Sequence, residues 1–394
     1  MVSDQFENEL LKNILPFWIT VAPDKENGGF YGQIGINNSI NNDVPRTAVT
    51  FSRIVWTFSH AYLLYHKQEY LDTAIRAFNS LNSAFWDQEN GGLFWSIDRY
   101  GKPVFDHKHF YAQAFGIYGF SEFFRATQNS QSIERAMQLF NIIEEHAFDS
   151  KYGGYIESQS REFRPIADMR LSEKDMNCKK SMNTMLHIIE AYANFLQVWD
   201  DQKIKDQLSN LISVFNQHVF DKNSHHLQLF FDEDWKPLSD RVSCGHDIES
   251  SWLLYEAAEM SGDQELIEDT KTISLELAKS VLTFGTNKDG SIIQEGTLNT
   301  ITNPNKEWWP QAEAVVGFFN EYQISGDPRY MDAAQAVWNY IQTHFIDRSY
   351  GGWFTRVTKD GAIDLTSPKV GPWECPYHES RMCFEMIQRL QARS

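Results

Sequence analysis

The chain has 394 residues, 42% of them hydrophobic and 14% aromatic, enough apolar surface for a large buried core. Lys and Arg total 35 against 53 Asp and Glu, a net charge of −18, which disfavours a nucleic-acid or anionic-membrane partner. No apolar run approaches the ~18 residues of a membrane span, and the acidic opening Met1 to Glu9 lacks the basic and apolar stretches of a signal peptide. The four cysteines, Cys178, Cys244, Cys375 and Cys383, form no C-x-x-C pair. The expectation is a reduced, cytoplasmic protein without disulfides.

In chain order, apolar residues recur with helical spacing over ten segments. These run from Ser52 to Tyr65, Tyr70 to Phe85, His109 to Ala126, Ile133 to Ala147 and Met182 to Trp199. They continue from Ile248 to Met260, Gln264 to Leu282, Gln311 to Ser325, Pro328 to Phe345 and Tyr377 to Leu390. Ser-Gly-Asp at Ser261 to Asp263 and at Ser325 to Asp327 supplies a helix stop followed by a new N-cap. Between the helices a second pattern repeats. Asp24, Asp87, Asp149 and Asp347 each stand four residues before a Gly-Gly pair that leads into aromatic or apolar residues. Asp221 keeps the frame without glycines, and Asn287 to Gly290 is a degenerate copy.

The turns fall at residues 28, 91, 153, 225, 290 and 351, about 63 residues apart. Each unit is helix, connection, helix, glycine turn, with the aromatic segment after each turn suited to a short hairpin. Six helix pairs could stack openly or close into a ring. Neither end carries a capping repeat with a polar outer face, so the expected architecture is all-α, a closed (α/α)6 barrel formed by residues 1–394 as one domain.

Ionisable and aromatic residues gather at the starts of alternate helices. Asn183 and His187 are four apart, and His246 and Glu249 three apart, so each pair shares a helix face. Trp308 and Trp309 precede Glu313; Trp373 precedes His378; Arg53 and Tyr111 open two further helices. His60, His66, His146, His218 and His344 read as ordinary core or surface histidines, and Trp56, Trp199 and Trp338 as core. The His246/Glu249 pair could ligate a metal, but no Cys/His array of ligand spacing accompanies it. In a ring, His187, His246 and His378 converge. Three imidazoles beside Trp, Asn and Glu suit proton transfer on a sugar better than hydrolysis, which uses two opposed carboxylates. For a hydrolase of this architecture the candidates are Asp168, Asp247 and Glu313; a catalytically silent sugar-binding protein is the third class. The residues alone reach acid–base chemistry on a sugar.

The chain resembles the N-acylglucosamine 2-epimerase family, most closely its cellobiose 2-epimerase branch. The resemblance is carried by P-F-W, E-N-G-G-F-Y-G, S-R-I-V-W-T-F-S, H-F-Y-A-Q-A-F-G-I-Y and K-S-M-N-T-M-L-H. It continues through G-H-D-I-E-S-S-W, W-W-P-Q-A-E-A-V-V-G and W-E-C-P-Y-H-E-S-R, in this order over essentially the whole chain. It implies an (α/α)6 barrel that needs no metal or cofactor, as monomer or dimer, with a small sugar as its only partner. The implied reaction is epimerisation at C2 of the reducing-end residue of a β-1,4-linked disaccharide. Ring opening, loss of the C2 proton to a cis-enediolate and return of a proton to the other face make up that reaction.

The resemblance assigns His378 as acid–base group at C2 and His246 as the second. Glu249 orients His246, His187 faces the reacting carbons, and Arg53 stabilises the enediolate. Trp308 and Trp373 stack on the sugar; Tyr111, Asn183 and Glu313 bind hydroxyls. Glu374 stands where the branch usually has Lys, Glu379 where it has Asn, and Cys244 where it has Tyr. These departures bear on disaccharide against monosaccharide preference. Epimerisation of free mannose and glucose is the runner-up, ahead of action on N-acylglucosamine or aldose–ketose isomerisation.

Overall fold

Helices of two kinds alternate along the chain in the computed structural model, which describes residues 1–392. Ala48–Tyr65, Phe110–Thr127, Met182–Leu196, Cys244–Ser261, Trp308–Ser325 and Tyr377–Gln391 are buried nearly all round. Gln68–Ser83, Ser130–His146, Gln202–Val214, Gln264–Ser280 and Pro328–His344 bury only one stripe, such as Tyr70, Ala74, Ala77, Phe78 and Leu81 of the first. A helix apolar on every side belongs inside and an amphipathic one outside, so this alternation sorts the chain into an inner and an outer ring, an (α/α)6 barrel.

Two outer helices exceed the ten read from periodicity. Gln202–Val214 follows an Asp201 N-cap and continues through a π turn, Phe215–Val219. The sixth outer helix lies at the start of the chain: Ser3–Glu9, a π turn at Leu10–Ile14, then Leu15–Thr20. It is the partner of the last inner helix, so the two ends of the chain complete one pair and close the ring. Phe6 stacks on Trp338 at 4.4 Å, Trp353 Nε1 donates to Glu9 Oε1 at 2.8 Å, and Asn13 Oδ1 accepts the Gly352 amide at 2.8 Å. Trp199 departs from its expected place: the helix stops at Leu196, leaving Trp199 38% exposed. Trp56 and Trp338 are buried as expected.

The glycine turns share one construction. The Asp carboxylate caps the turn, as where Asp149 Oδ1 accepts the amides of Lys151 and Tyr152, and the glycines take positive φ. At the second position of the third turn no side chain fits: a Cβ on Gly154 would lie 2.5 Å from the Trp235 ring. In all four Asp-x-x-x-Gly-Gly turns a buried cation then reaches the carboxylate, Arg46 for Asp24, Lys108 for Asp87, Lys180 for Asp149 and Lys369 for Asp347. Three of these cations sit in two-residue strands that lead directly into inner helices. The strands pair antiparallel with the next unit's hairpin: Arg46–Thr47 with Ser96–Ile97, Lys108–His109 with Ser158–Gln159, Lys180–Ser181 with Phe230–Phe231. The first turn of each of these inner helices is thereby held from both sides.

Lys180 gives the test of this construction, because its Nζ donates to Asp149 Oδ2 and to the carbonyls of Gly153 and Glu233 at 2.7–2.8 Å. Lys180→Ala leaves a carboxylate and two carbonyls without their cation. It is expected to cost about 3–5 kcal/mol, read as a lower denaturation midpoint in urea.

Candidate active site

The inner helices present their N-terminal turns to one end of the barrel, and the candidate residues stand on those turns. A cavity of about 220 Å³ there is lined by Arg53, Tyr111, Asn183, His187, His246, Glu249, Trp308, Trp373 and His378. Trp309, Gln294, Glu307, Arg356 and Glu374, with Leu171, Ser172, Lys174 and Asp175 of segment 171–175, complete the wall. The cavity adjoins a second, of about 420 Å³, that shares Leu171, Lys174, Asp175, Asn183, His246 and Trp373. Three lining residues hold buried polar atoms without a protein partner, Arg53 Nε, Asn183 Oδ1 and Gln294 Oε1.

Each histidine is fixed through Nδ1. His378 Nδ1 lies 2.6 Å from Glu313 Oε1. Glu313 also receives Arg381 Nη2 at 2.7 Å and Trp252 Nε1 at 3.1 Å. Both of those groups can only donate, so Glu313 receives them as a carboxylate and the bond to His378 carries the imidazole Nδ1 proton. Nε2 is left as a lone pair. His187 repeats the arrangement, with Nδ1 2.8 Å from Glu190 Oε2, while Glu190 Oε1 receives Tyr377 and Arg381. His246 is different: Nδ1 lies 2.8 Å from Ser243 Oγ. Ser243 Oγ also accepts the His246 amide; with its own proton directed to Nδ1, Nε2 carries the N–H. The site therefore holds two imidazoles ready to accept a proton and one ready to give.

Below the histidines lies the buried guanidinium of Arg381, bonded to Glu190, Glu249 and Glu313. Burial, with Arg53, Arg381 and His187 nearby, holds His378 well below the ordinary imidazole range. Burial and His187 bring His246 down to about 3. Burial would raise Glu190, but Arg381 and the bond from His187 bring it to about 2. Burial and the neighbouring Glu313 push Glu249 up to about 7, and burial also raises Glu313. Arg53 donates to Tyr111 Oη at 3.0 Å and lies over the Phe115 and Tyr377 rings. Burial opposes its charge, yet Tyr111, Cys375, Tyr377 and Glu249 outweigh that and hold it cationic.

Nine of the ten expected site residues line the one cavity; Glu313 lies behind it. Its carboxylate is taken up by His378, Arg381 and Trp252, so it supports the imidazole instead of binding a hydroxyl. Glu249 also departs from expectation: it bonds Arg381 and stands 4.0 Å from His378 Nδ1, while Ser243 is the group that orients His246. The hydrolase candidates do not assemble into a flanking pair. Asp168 is exposed and paired with Arg170, and Asp247 is buried against His226 and the Leu227 amide.

Glu249, Glu313 and His378 form a cluster of metal-ligand type. Arg381 Nη2 lies 2.7 Å from both carboxylates, so a cation already occupies the position between them. Sequence reasoning missed Glu190, Arg381, Tyr377 and Ser243. The available signal was spacing: Glu190, Glu249 and Arg381 each follow a site histidine by three residues, and Ser243 precedes one by three. Of the residues that departed from the branch pattern, Glu374 lines the cavity and Glu379 accepts Trp308 Nε1 at 3.2 Å. Cys244 is buried beside Gly285.

A family model described as N-acylglucosamine 2-epimerase (GlcNAc 2-epimerase) matches residues 29–379. The chain is 42% identical to a cellobiose 2-epimerase of Bacteroides fragilis, over 98% of this chain and 99% of that one. It is 37% identical to one of Dictyoglomus turgidum, over 98% of each. The solved cellobiose 2-epimerase of Bacillus thermoamylovorans B4167 superposes with a TM-score of 0.93 at 37% identity, covering 98% of this chain and 99% of that one.

The depressed affinities of His246 and His378 for protons are directly observable. Nitrogen-15 NMR of the imidazoles is expected to show both neutral from pH 8 down to about pH 5; protonation of either near pH 6.5 would contradict the network described.

Proposed function

The chain belongs to the N-acylglucosamine 2-epimerase family, and from that premise we propose that it is a carbohydrate epimerase acting on cellobiose. It inverts C2 of the reducing-end glucose to give 4-O-β-glucosyl-mannose. The observation that carries this reading is the convergence of three oriented imidazoles on one cavity, in a chain with full-length similarity to cellobiose 2-epimerases. We take residues 1–394 as one catalytic domain working in the cytoplasm as monomer or dimer, without metal or cofactor. The acidic surface fits that setting, and Arg381 supplies the buried charge.

After the pyranose opens, the C2 proton passes to Nε2 of His378. The C2–H electron pair moves into the C1–C2 bond and the carbonyl pair onto O1, giving a cis-enediolate. Arg53 and the positive N-terminal ends of the surrounding inner helices stabilise that charge. His246, through its Nε2–H, supplies the proton that rebuilds C2 in the other configuration; the proton held on His378 then passes through solvent to His246, so both imidazoles end neutral, and His187 polarises the reacting oxygens. As His378 gains its proton, Glu313 and Glu249 balance the imidazolium. Trp308 and Trp373 give the sugar its apolar faces; Tyr111 and Asn183 bind hydroxyls. The glycosidic bond takes no part in these steps.

In heavy water, proton NMR is expected to show the glucosyl-mannose product lacking its C2 proton and no free glucose. Release of glucose from cellobiose would reverse the reading to hydrolysis. His378→Asn and His246→Asn should each lower kcat by about 10²–10⁴, the usual worth of a general acid or base.

The pH dependence follows from Glu249. Above about pH 7 it is a carboxylate and supports the His378 imidazolium; below about 7 it is neutral and that support is lost. The rate kcat/KM should therefore fall as pH drops through about 7. Glu249→Gln should give a lower rate that no longer changes there. An unchanged acid limb in that variant would remove Glu249 from this role.

A further inference from the structure

Trp308 opens the inner helix Trp308–Ser325, and its indole walls the sugar pocket. Its backbone is fixed by the hairpin, the amide donating to the Thr355 carbonyl at 3.0 Å. The side chain is fixed separately. An indole Nε1 can only donate, and this one donates to Glu379 Oε2 at 3.2 Å. Both residues are buried, 5% and 6% exposed. Burying a carboxyl group is costly unless it is bonded. Among the described residues the Trp308 indole is the only side chain hydrogen-bonded to this one.

Glu379 directly follows His378 in the first turn of the last inner helix, Tyr377–Gln391. Consecutive residues therefore hold the proton acceptor at C2 and the ring on which the sugar lies. The Trp308 and His378 rings meet almost at right angles, with centroids 6.2 Å and planes 83° apart. A sugar lying on that indole has its position against His378 Nε2 set by the tilt of the indole. Trp308 and His378 stand on different helices, and the bond to Glu379 ties one to the other. Reacting atoms must come within about 3–3.5 Å, and a small misplacement lowers the rate steeply.

We propose that Glu379 is a positioning residue for the epimerisation, which holds Trp308 through Nε1 and so sets where the reducing-end sugar lies against His378. This rests on the epimerase reading of the site.

Glu379→Leu keeps the bulk and removes the acceptor. The kcat on cellobiose is expected to fall about tenfold, with KM changed by no more than about threefold. Glu379→Gln retains an acceptor and should stay within about twofold of the unmodified chain. Trp308→Phe keeps a ring, removes the donor and should show a similar loss in kcat; adding Glu379→Leu to it should cost nothing further. The proposal is overturned by a Gln variant as slow as the Leu variant, by a loss confined to KM, or by losses that add in the double variant. An unchanged kcat in Trp308→Phe overturns it whether or not Glu379→Leu folds.

The bond is also read apart from turnover. In nitrogen-15 NMR of the full chain, the Trp308 indole N–H is assigned by its absence from Trp308→Phe. That signal is expected to move upfield in Glu379→Leu and to hold in Glu379→Gln; a signal unmoved in both overturns the proposal. If the unmodified chain leaves the C2 proton of cellobiose in place, the epimerase reading fails instead, and the indole signal still reports whether Glu379 holds Trp308.

Discussion

Arg381 is the interaction on which the site depends. Its guanidinium is buried, 2% exposed, and is shared by Glu190, Glu249 and Glu313. Burying four ionisable groups is costly, and the cost is recovered only where geometry is good and every group is bonded. Here the arrangement has a use beyond stability. Two of the carboxylates pass the constraint on, Glu190 to His187 and Glu313 to His378. One cation thus fixes the orientation and tautomer of two imidazoles on two different helices. The removal of Arg381 would therefore affect chemistry and folding together.

The barrel makes such a layer possible. Side chains three residues apart on a helix lie one above the other, so Glu190 under His187, Glu249 under His246 and Arg381 under His378 place an ionic layer one turn below the imidazole layer. Both layers hold only if the inner helices start at fixed heights. For three of them the short strands provide that: a buried Lys or Arg on a glycine turn pins the strand, and the strand leads straight into the helix. Ser181 and Ser243, which cap two of these helices, then set the first turn. Rigid placement of the supporting groups is what a catalytic constellation requires, and here it is built from the same repeat that builds the fold.

The sequence pattern exposed the repeat and the first layer of the site because both are local. Glycine turns recur by position, and His187, His246 and His378 recur at equivalent places within the units. What stayed hidden is what joins units. Arg381 reads as one more charged residue until the ring closes and Glu190 and Glu313 arrive from other helices. Glu249 shares a helix face with His246 by spacing, and the resemblance made it the orienting group, but a shared face is not a contact. The N-terminal helix escaped periodicity because the π turn at Leu10–Ile14 shifts its buried stripe by a residue. Segment 171–175, which walls the cavity, has no periodicity to read.

Tautomer control explains why three histidines can share one small site. Imidazoles backed by carboxylates present a lone pair and gain a counter-ion as they take up a proton. One backed by a hydroxyl presents an N–H and gains none. Ser243 in place of a carboxylate therefore sets His246 apart from His187 and His378, although all three occupy equivalent turns. Burial holds His246 and His378 neutral, so neither is stalled in the charged form before the substrate enters. In the proposed mechanism, proton transfer creates charge only where Glu313, Glu249 and Arg53 already stand to receive it, and such buried, preorganised charges need no reorganisation as it develops.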